Sequence, residues 1–234
     1  MLADIHSNRE ALHAVLADAP GYDDVWVLGD IVGYGPHPHE CLDIVRELNA
    51  ACVAGNHDLG AVGSYPLEWF NQVASEACAW TSRQLSAGDA RFLRGLPHVL
   101  SIGQFMLVHG SPRQPASEYV TSPQLATELA SICPRTHCLV GHTHCAAAFS
   151  LGMPSVLPCQ DGVSVSLAQG RLLLNPGAVG QPRDGDPRAA YGVLDEEEYR
   201  FEFHRVAYDA EATSAAIVRQ GLPKALGMRL HTGY

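Results

Sequence analysis

No apolar run in the 234-residue sequence approaches the roughly 20 residues needed to cross a bilayer, so no membrane span is expected. The first residues show no basic stretch followed by an apolar one, and no signal peptide is expected. Low-complexity tracts, internal repeats of fixed period and convincing linkers are also missing. Positive charge is scarce: 15 Lys and Arg stand against 25 Asp and Glu, for a formal net charge of −10. Nucleic acid polymers are held through a basic footprint, so such a partner is disfavoured. A small phosphorylated substrate is still allowed, because bound cations would reverse the local field. The 7 cysteines include no CxxC pair, which predicts reduced thiols in a cytoplasmic protein. Cys41, Cys52, Cys78 and Cys138 lie in apolar segments, where a free Cys packs as a small hydrophobe. Cys133, Cys138 and Cys145 near His142 fit no standard zinc spacing.

What is present is a 47% hydrophobic chain, long enough for one large α/β domain over residues 1–234. Residues 1–3 make a lead into Asp4 that is short for a central strand, which usually runs about five or six residues. Ser7 and Glu10 form a capping-box pattern, and Leu12, Val15 and Leu16 supply the apolar stripe of the helix that follows. Residues 25–28 are continuously apolar up to Gly29-Asp30, as in a buried parallel strand. A helix is predicted over about 39–48, then a strand at 51–54 emptying into a turn. Residues 67–96 read as helical with a break at 86–88. Trp69, Phe70, Val73, Ala77 and Trp80, at helical spacing there, predict core or groove lining. Segments 99–102 and 105–108 flank Gly103 as a hairpin, and a helix over 123–132 precedes a strand at 137–140. Beyond that, 163–167, 171–174, 189–194 and 200–206 read as antiparallel strands between tight turns, not further βαβ units. A final helix over 210–220 follows Asp209. Strand–helix alternation followed by a β-rich half predicts two sheets packed face to face with helices outside.

Polar residues gather where the apolar runs end. Asp4-Ile5-His6, Gly29-Asp30, Gly55-Asn56-His57-Asp58, His109-Gly110 and Gly141-His142-Thr143-His144 each follow such a run. Singly these are weak signals, since a His after a strand is commonly a hydrogen-bonded structural residue. As a set, Asp4, His6, Asp30, Asn56, His109, His142 and His144 bring only imidazole and oxygen donors to the strand ends. That mixture suits Mn²⁺, Fe²⁺, Co²⁺, Ni²⁺ or Zn²⁺ and lacks the thiolates of a structural zinc site. The prediction is a scaffold bringing these strand ends together around two metal ions.

In this order the motifs resemble the calcineurin-like metallophosphoesterase superfamily. Their spread is similar to its small bacterial branch, which includes phosphodiesterases of the YfcE type, and the loop Asn175-Pro176-Gly177-Ala178-Val179-Gly180-Gln181-Pro182-Arg183 is similar to one in that branch. The resemblance implies an α/β fold (α+β in the broad sense): a four-layer αββα sandwich of two mixed β-sheets flanked by helices. It implies two divalent metal ions, with Mn favoured. Asp4, His6, Asp30 and His144 would hold one, and Asp30, Asn56, His109 and His142 the other, with Asp30 bridging. Such a pair, about 3.5–4 Å apart, can turn a shared water into the hydroxide that attacks phosphorus in line. His57 would stabilise or protonate the leaving oxygen. Asp58 would either orient His57 or cap the following segment. Tyr34, Arg113 and Arg183 are candidate substrate contacts, with His37 and His39 at the mouth.

The sequence departs from the superfamily's pattern at its second motif. In the protein Ser/Thr phosphatases and dinucleoside tetraphosphate hydrolases that motif runs on to an acidic residue and a phosphate-clamping Arg. Here Gly29-Asp30-Ile31-Val32 continues into Gly33-Tyr34-Gly35-Pro36. Without that bidentate clamp, a phosphodiesterase acting on a small organic or nucleotide diester is favoured over a phosphomonoesterase or protein phosphatase. A metal-binding scaffold without catalysis is the reading from another class, and the presence of His57 speaks against it.

Overall fold

Successive side chains of a strand face opposite ways, and that period of two sorts the apolar residues of this chain into layers. The computed structural model describes residues 1–19 and 21–234. Its first elements are α1 (Arg9–Asp18), β1 (Trp26–Val27), α2 (Pro38–Glu47), β2 (Ala51–Cys52) and α3 (Asn56–Ala61). Then come α4 (Gln72–Gln84), α5 (Ala87–Gly95), the hairpin strands β3 (Val99–Ile102) and β4 (Phe105–Val108), and α6 (Pro123–Leu129). The second half carries β5 (His137–Leu139), β6 (Ala147–Ser150), β7 (Ser164–Ser166), β8 (Leu172–Asn175), β9 (Ala189–Asp195) and β10 (Arg200–Val206). It closes with α7 (Ala210–Arg219) and α8 (Lys224–Met228).

One mixed sheet runs β3-β4-β5-β8-β6, parallel at its centre and antiparallel at both edges. The other combines the antiparallel β7-β10-β9 with the parallel pair β1-β2. Residues 1–3 join its two parts. Met1 and Gly192 exchange N–H···O bonds of 2.8 and 3.0 Å, the signature of an antiparallel pair, and Leu2 bridges to Val27 in parallel. Between the sheets, Ala3, Trp26, Leu28 and Val53 meet Phe105, Leu107, Leu139 and Leu174. The alternate residues Val25, Val27 and Cys52 belong to the layer of Leu12, Val15 and Leu42 from α1 and α2. Met106, Val108, Cys138 and Leu173 pack with Ala126 and Leu129 of α6. This is the four-layer αββα sandwich. Each fully buried Leu in it contributes about 1.5–3 kcal/mol.

Several local features differ from the expectations. The residues after β2 open a helix, α3, because Asp58 at its third position accepts the Gly55 N–H at 3.0 Å and closes its first turn. α1 is capped by Asn8, whose side chain accepts from Ala11 N–H at 3.1 Å. Ser7 instead takes a left-handed backbone (φ 52) and pairs with the loop after β1, donating its N–H to Ile31 at 3.0 Å. β8 is antiparallel to β6 as expected, but it lies in a different sheet from β7, β9 and β10, pairs in parallel with β5 on its other side and is buried along its whole length. Its run Leu172-Leu173-Leu174 is that of a strand covered on both faces. No helix among the described residues is long and apolar enough to cross a membrane.

Candidate metal centre

The polar residues sit where the strands stop, on backbone few side chains adopt. Asp4, His6, Asp30, His142 and His144 have φ of 52, 47, 52, 65 and 59. Asp, Asn and His tolerate this left-handed region better than most residues, yet each instance costs on the order of 1–3 kcal/mol. Lateral backbone bonds hold them there. Asp4 N–H donates to Gly29 at 3.1 Å, His6 N–H to Asp30 at 2.9 Å, and Gly141 N–H to His109 at 2.8 Å. Gly55 is required by crowding: a Cβ there would lie 2.0 Å from Asp30 Oδ1.

Two groups of ligand atoms result, each with its atoms within 4.8 Å of one another and all buried: Asp4, His6, Asp30 and His144, then Asp30, His109 and His142. Asn56 joins the second group, with Oδ1 3.2 Å from His109 Nε2. Asp30 belongs to both. Its Oδ1 accepts the His57 N–H at 2.8 Å. Its Oδ2 stands 3.5 Å from His6 Nε2 and 3.3 Å from His109 Nε2 without a hydrogen-bond partner.

Hydrogen-bond bookkeeping tests whether these donors suit a cation. Each imidazole has one nitrogen against a backbone carbonyl: His6 Nδ1 at Val32 (3.1 Å), His109 Nδ1 at Leu28 (2.8 Å), His144 Nδ1 at Gln181 (2.6 Å) and His142 Nε2 at Ser117 (3.1 Å). A carbonyl only accepts, so those nitrogens carry the protons. The remaining nitrogens are lone pairs, and they face one another: His6 Nε2 to His144 Nε2 at 3.1 Å, and His109 Nε2 to His142 Nδ1 at 3.0 Å. Opposed lone pairs need positive charge between them. Burial holds His6 and His144 well below the usual imidazole range and lowers His142 to about 3, so protons do not readily supply it there. Burial also pulls on His109, but the negative charge of Asp30 outweighs it and raises that ring to about 9. The donor set of imidazole, carboxylate and amide oxygen fits a divalent cation.

The family model for the calcineurin-like phosphoesterase superfamily domain matches residues 1–199. The chain belongs to that superfamily. It is 42% identical to the crystal structure of a metallophosphoesterase from Sphaerobacter thermophilus, with a TM-score of 0.92, covering 100% of this chain and 97% of that one. An uncharacterised protein of Methanocaldococcus jannaschii is 35% identical over 239 residues, 100% of this chain and 97% of its own. A symmetrical bis(5'-nucleosyl)-tetraphosphatase of Photorhabdus laumondii is 39% identical over only 70 residues, 28% of this chain and 26% of its own. As a calcineurin-like phosphoesterase, the protein is a metal-dependent phosphoric ester hydrolase.

Around the ligand groups lies an open cleft of about 220 Å³, lined by Asp30, His57, Tyr34, His142, His144 and Arg183 among others. His57 packs by ring contacts against Tyr34 (4.3 Å between centroids), Phe70 (4.7 Å) and His6 (4.9 Å), and its Nδ1 has no partner. Burial lowers it to about 4, so the neutral ring predominates near pH 7. Asp58 does not orient it. Both Asp58 oxygens are taken by backbone N–H groups, of Val32 and Gly55, each at 3.0 Å. Its capping role is therefore the one the structure carries.

Of the expected substrate contacts, Tyr34 and Arg183 line the cleft. Arg113 does not, because Glu118 and Glu128 hold its guanidinium at the surface. His37 pairs with Glu10 and Glu40, and His39 with Asp89. Sequence reasoning missed Tyr119, which stacks on His142 at 3.9 Å and 19°, and Tyr65, which meets Trp69 edge-on at 5.2 Å. Trp69 lines the groove and is 69% exposed. Exposed aromatics gathered at a ligand cluster were the available signal, but their positions in the chain are too far apart to show it.

Proposed function

We propose that the protein is a binuclear metal-dependent phosphodiesterase acting on a small organic or nucleotide phosphodiester. The observation that carries this reading is Asp30, whose unpartnered Oδ2 faces both sets of opposed imidazole lone pairs. Asp4, His6, Asp30 and His144 would hold one ion, and Asp30, Asn56, His109 and His142 the other, with Mn favoured from among Mn, Fe, Co, Ni and Zn. When bound, such ions supply Lewis-acid stabilisation of phosphoryl charge and acidify water. The chain's own residues position the ester. A water oxygen forms the new P–O bond as the ester P–O bond opposite it breaks, and the departing oxygen takes the bonding pair. His57, at the cleft wall, donates its N–H as a hydrogen bond to that oxygen, and the proton shed by the attacking water ends on it. Arg183 and Tyr34 supply donors to the phosphoryl oxygens.

A cleft of about 220 Å³ walled by Tyr65, Trp69, Phe70 and Tyr119 suits a small ester with an apolar or aromatic group. The missing Arg of the second motif favours a diester, which carries less charge than a monoester. All seven cysteines are free thiols, which supports a cytoplasmic setting.

The test uses Mn²⁺-loaded protein with an aryl phosphodiester and the matching monoester. The diester should turn over faster, and chelation should abolish turnover. His57→Ala should lower turnover by about 10²–10⁴ with metal content unchanged. Faster monoester hydrolysis overturns the diester assignment, and wild-type turnover by His57→Ala removes His57 from the reaction.

A further inference from the structure

Gln181 Oε1 accepts from two guanidinium groups at once, Arg183 Nη2 at 3.0 Å and Arg229 Nη1 at 3.1 Å. Two positive charges sharing one neutral acceptor repel each other, the more so where water is partly excluded. A chain of net charge −10 has carboxylates to place beside them. It places none: among the described residues neither Arg183 nor Arg229 forms a salt bridge, and Asp184, the next residue along, is turned to Arg205. Arg183 Nε is buried without an acceptor. Burial, and after it the charge of Arg183, lowers the Arg229 pKa.

The pair is fixed to the cleft. Arg183 lines it, lies 5.6 Å from the centre of the Tyr34 ring, and donates its backbone N–H to the His144 carbonyl at 3.0 Å. Gln181, which holds both arginines, accepts His144 Nδ1 through its own carbonyl at 2.6 Å. Arg229 comes from the short turn of helix Arg229–His231, beyond residues 1–199 matched by the family model. α7 and this C-terminal segment are anchored by Ile217, Leu222, Leu226 and Leu230, which pack in one cluster with Tyr34.

We propose that Arg183 and Arg229 form a subsite for a phosphate-type oxyanion on the His144 side of the cleft. Its oxygens would take N–H groups of the two forks that are not given to Gln181, and its charge would relieve the repulsion between them. The subsite rests on the phosphoesterase reading of the cleft for its occupant, which is either a second phosphate carried by the substrate or the phosphate undergoing reaction and release.

The first measurement needs no turnover. Thermal unfolding of the metal-loaded protein is followed in sodium phosphate and in sodium chloride at matched ionic strength, for wild type, Arg229→Gln and Arg229→Lys. Phosphate should raise the wild-type midpoint beyond chloride, the excess should fall by at least half in Arg229→Gln, and Arg229→Lys should recover part of it. An equal excess in all three proteins overturns the subsite, since metals and general salt effects would then account for it.

The second measurement separates the two sources of phosphate. It compares KM for an aryl diester without other anions and for a nucleoside aryl diester bearing a further terminal phosphate. If the occupant is a second phosphate, Arg229→Gln lowers the preference for the latter about 10–100-fold, as for lost charged hydrogen bonds. If it is the reacting phosphate, that preference holds and inhibition by inorganic phosphate weakens by a similar factor. Neither change, in a protein that still cleaves diesters, refutes the subsite while leaving the proposed function standing. A phosphate-dependent midpoint without diester turnover refutes the function and leaves the subsite.

Discussion

Replacing Asp58 by Asn separates two roles that a carboxylate next to His57 can have. Asp58 is fully buried, and its two oxygens accept from Val32 and Gly55 N–H groups, each at 3.0 Å. Asn keeps one acceptor and turns an NH₂ toward the other N–H, leaving a buried donor unpaired. A buried donor left unpaired costs about 1–3 kcal/mol, and loss of a helix cap about 1 kcal/mol. Together the expected loss is roughly 2–4 kcal/mol. At about 2–4 °C per kcal/mol for a chain of this size, the unfolding midpoint should drop by roughly 5–15 °C. Urea unfolding followed by intrinsic fluorescence gives the free energy directly, with an unchanged slope if only the cap is lost. Activity falls as well, because α3 carries Asn56 and His57, but the shape of the kcat–pH profile should persist. Stability within about 0.5 kcal/mol of wild type, together with a displaced pH profile, would refute the capping argument and put Asp58 behind the imidazole after all.

Gly55→Ala places a methyl 2.0 Å from Asp30 Oδ1 and 2.4 Å from its backbone nitrogen. Metal content measured by mass spectrometry should fall to less than half of wild type, and a fully loaded variant would show that the loop yields without cost. Asp89 closes the first turn of α5 through Ser86 and meets Arg46 of α2 at 2.6 Å. Burial opposes its charge, but the Ser86 and Arg46 hydrogen bonds outweigh it and lower Asp89 to about 2. A carboxyl lowered in the folded state stabilises above its unfolded value, near 4, and loses that contribution as pH falls toward 2. The stability gap between wild type and Asp89→Asn should therefore narrow from pH 5 to pH 2. A constant gap would assign the effect to packing.

Much of the architecture was legible because each apolar run is sorted by a simple period. Residues 25–28 end at Asp30 as a covered parallel strand does, and Phe105–Val108 appears with the predicted bounds. Leu172-Leu173-Leu174 carried the same signature, but its neighbours suggested hairpins, and which strand it pairs with is decided by contacts distant in sequence. The ligand residues were visible as polar residues at strand ends. The local roles around them were not. Ser7 was outcompeted as a cap by Asn8 because its own backbone is committed to the next loop, and Asp58 was drawn to two backbone amides within reach. Arg113 was claimed by Glu118 five residues on. Arg229 could not be found from sequence, since it meets Gln181 and the neighbourhood of Arg183 only through the packing of the C-terminal helices.

Asp30 has one oxygen committed to a helix amide and the other poised between two nests of imidazole. That makes it the hinge of a partnership rather than one vote among seven. Losing His144 or His142 would impair one side and leave the other with its own donors, whereas losing Asp30 would disband both together. Under the proposed two-ion reading, any substitution at Asp30 disturbs both flanks at once, and half-loaded forms are to be sought among the histidines.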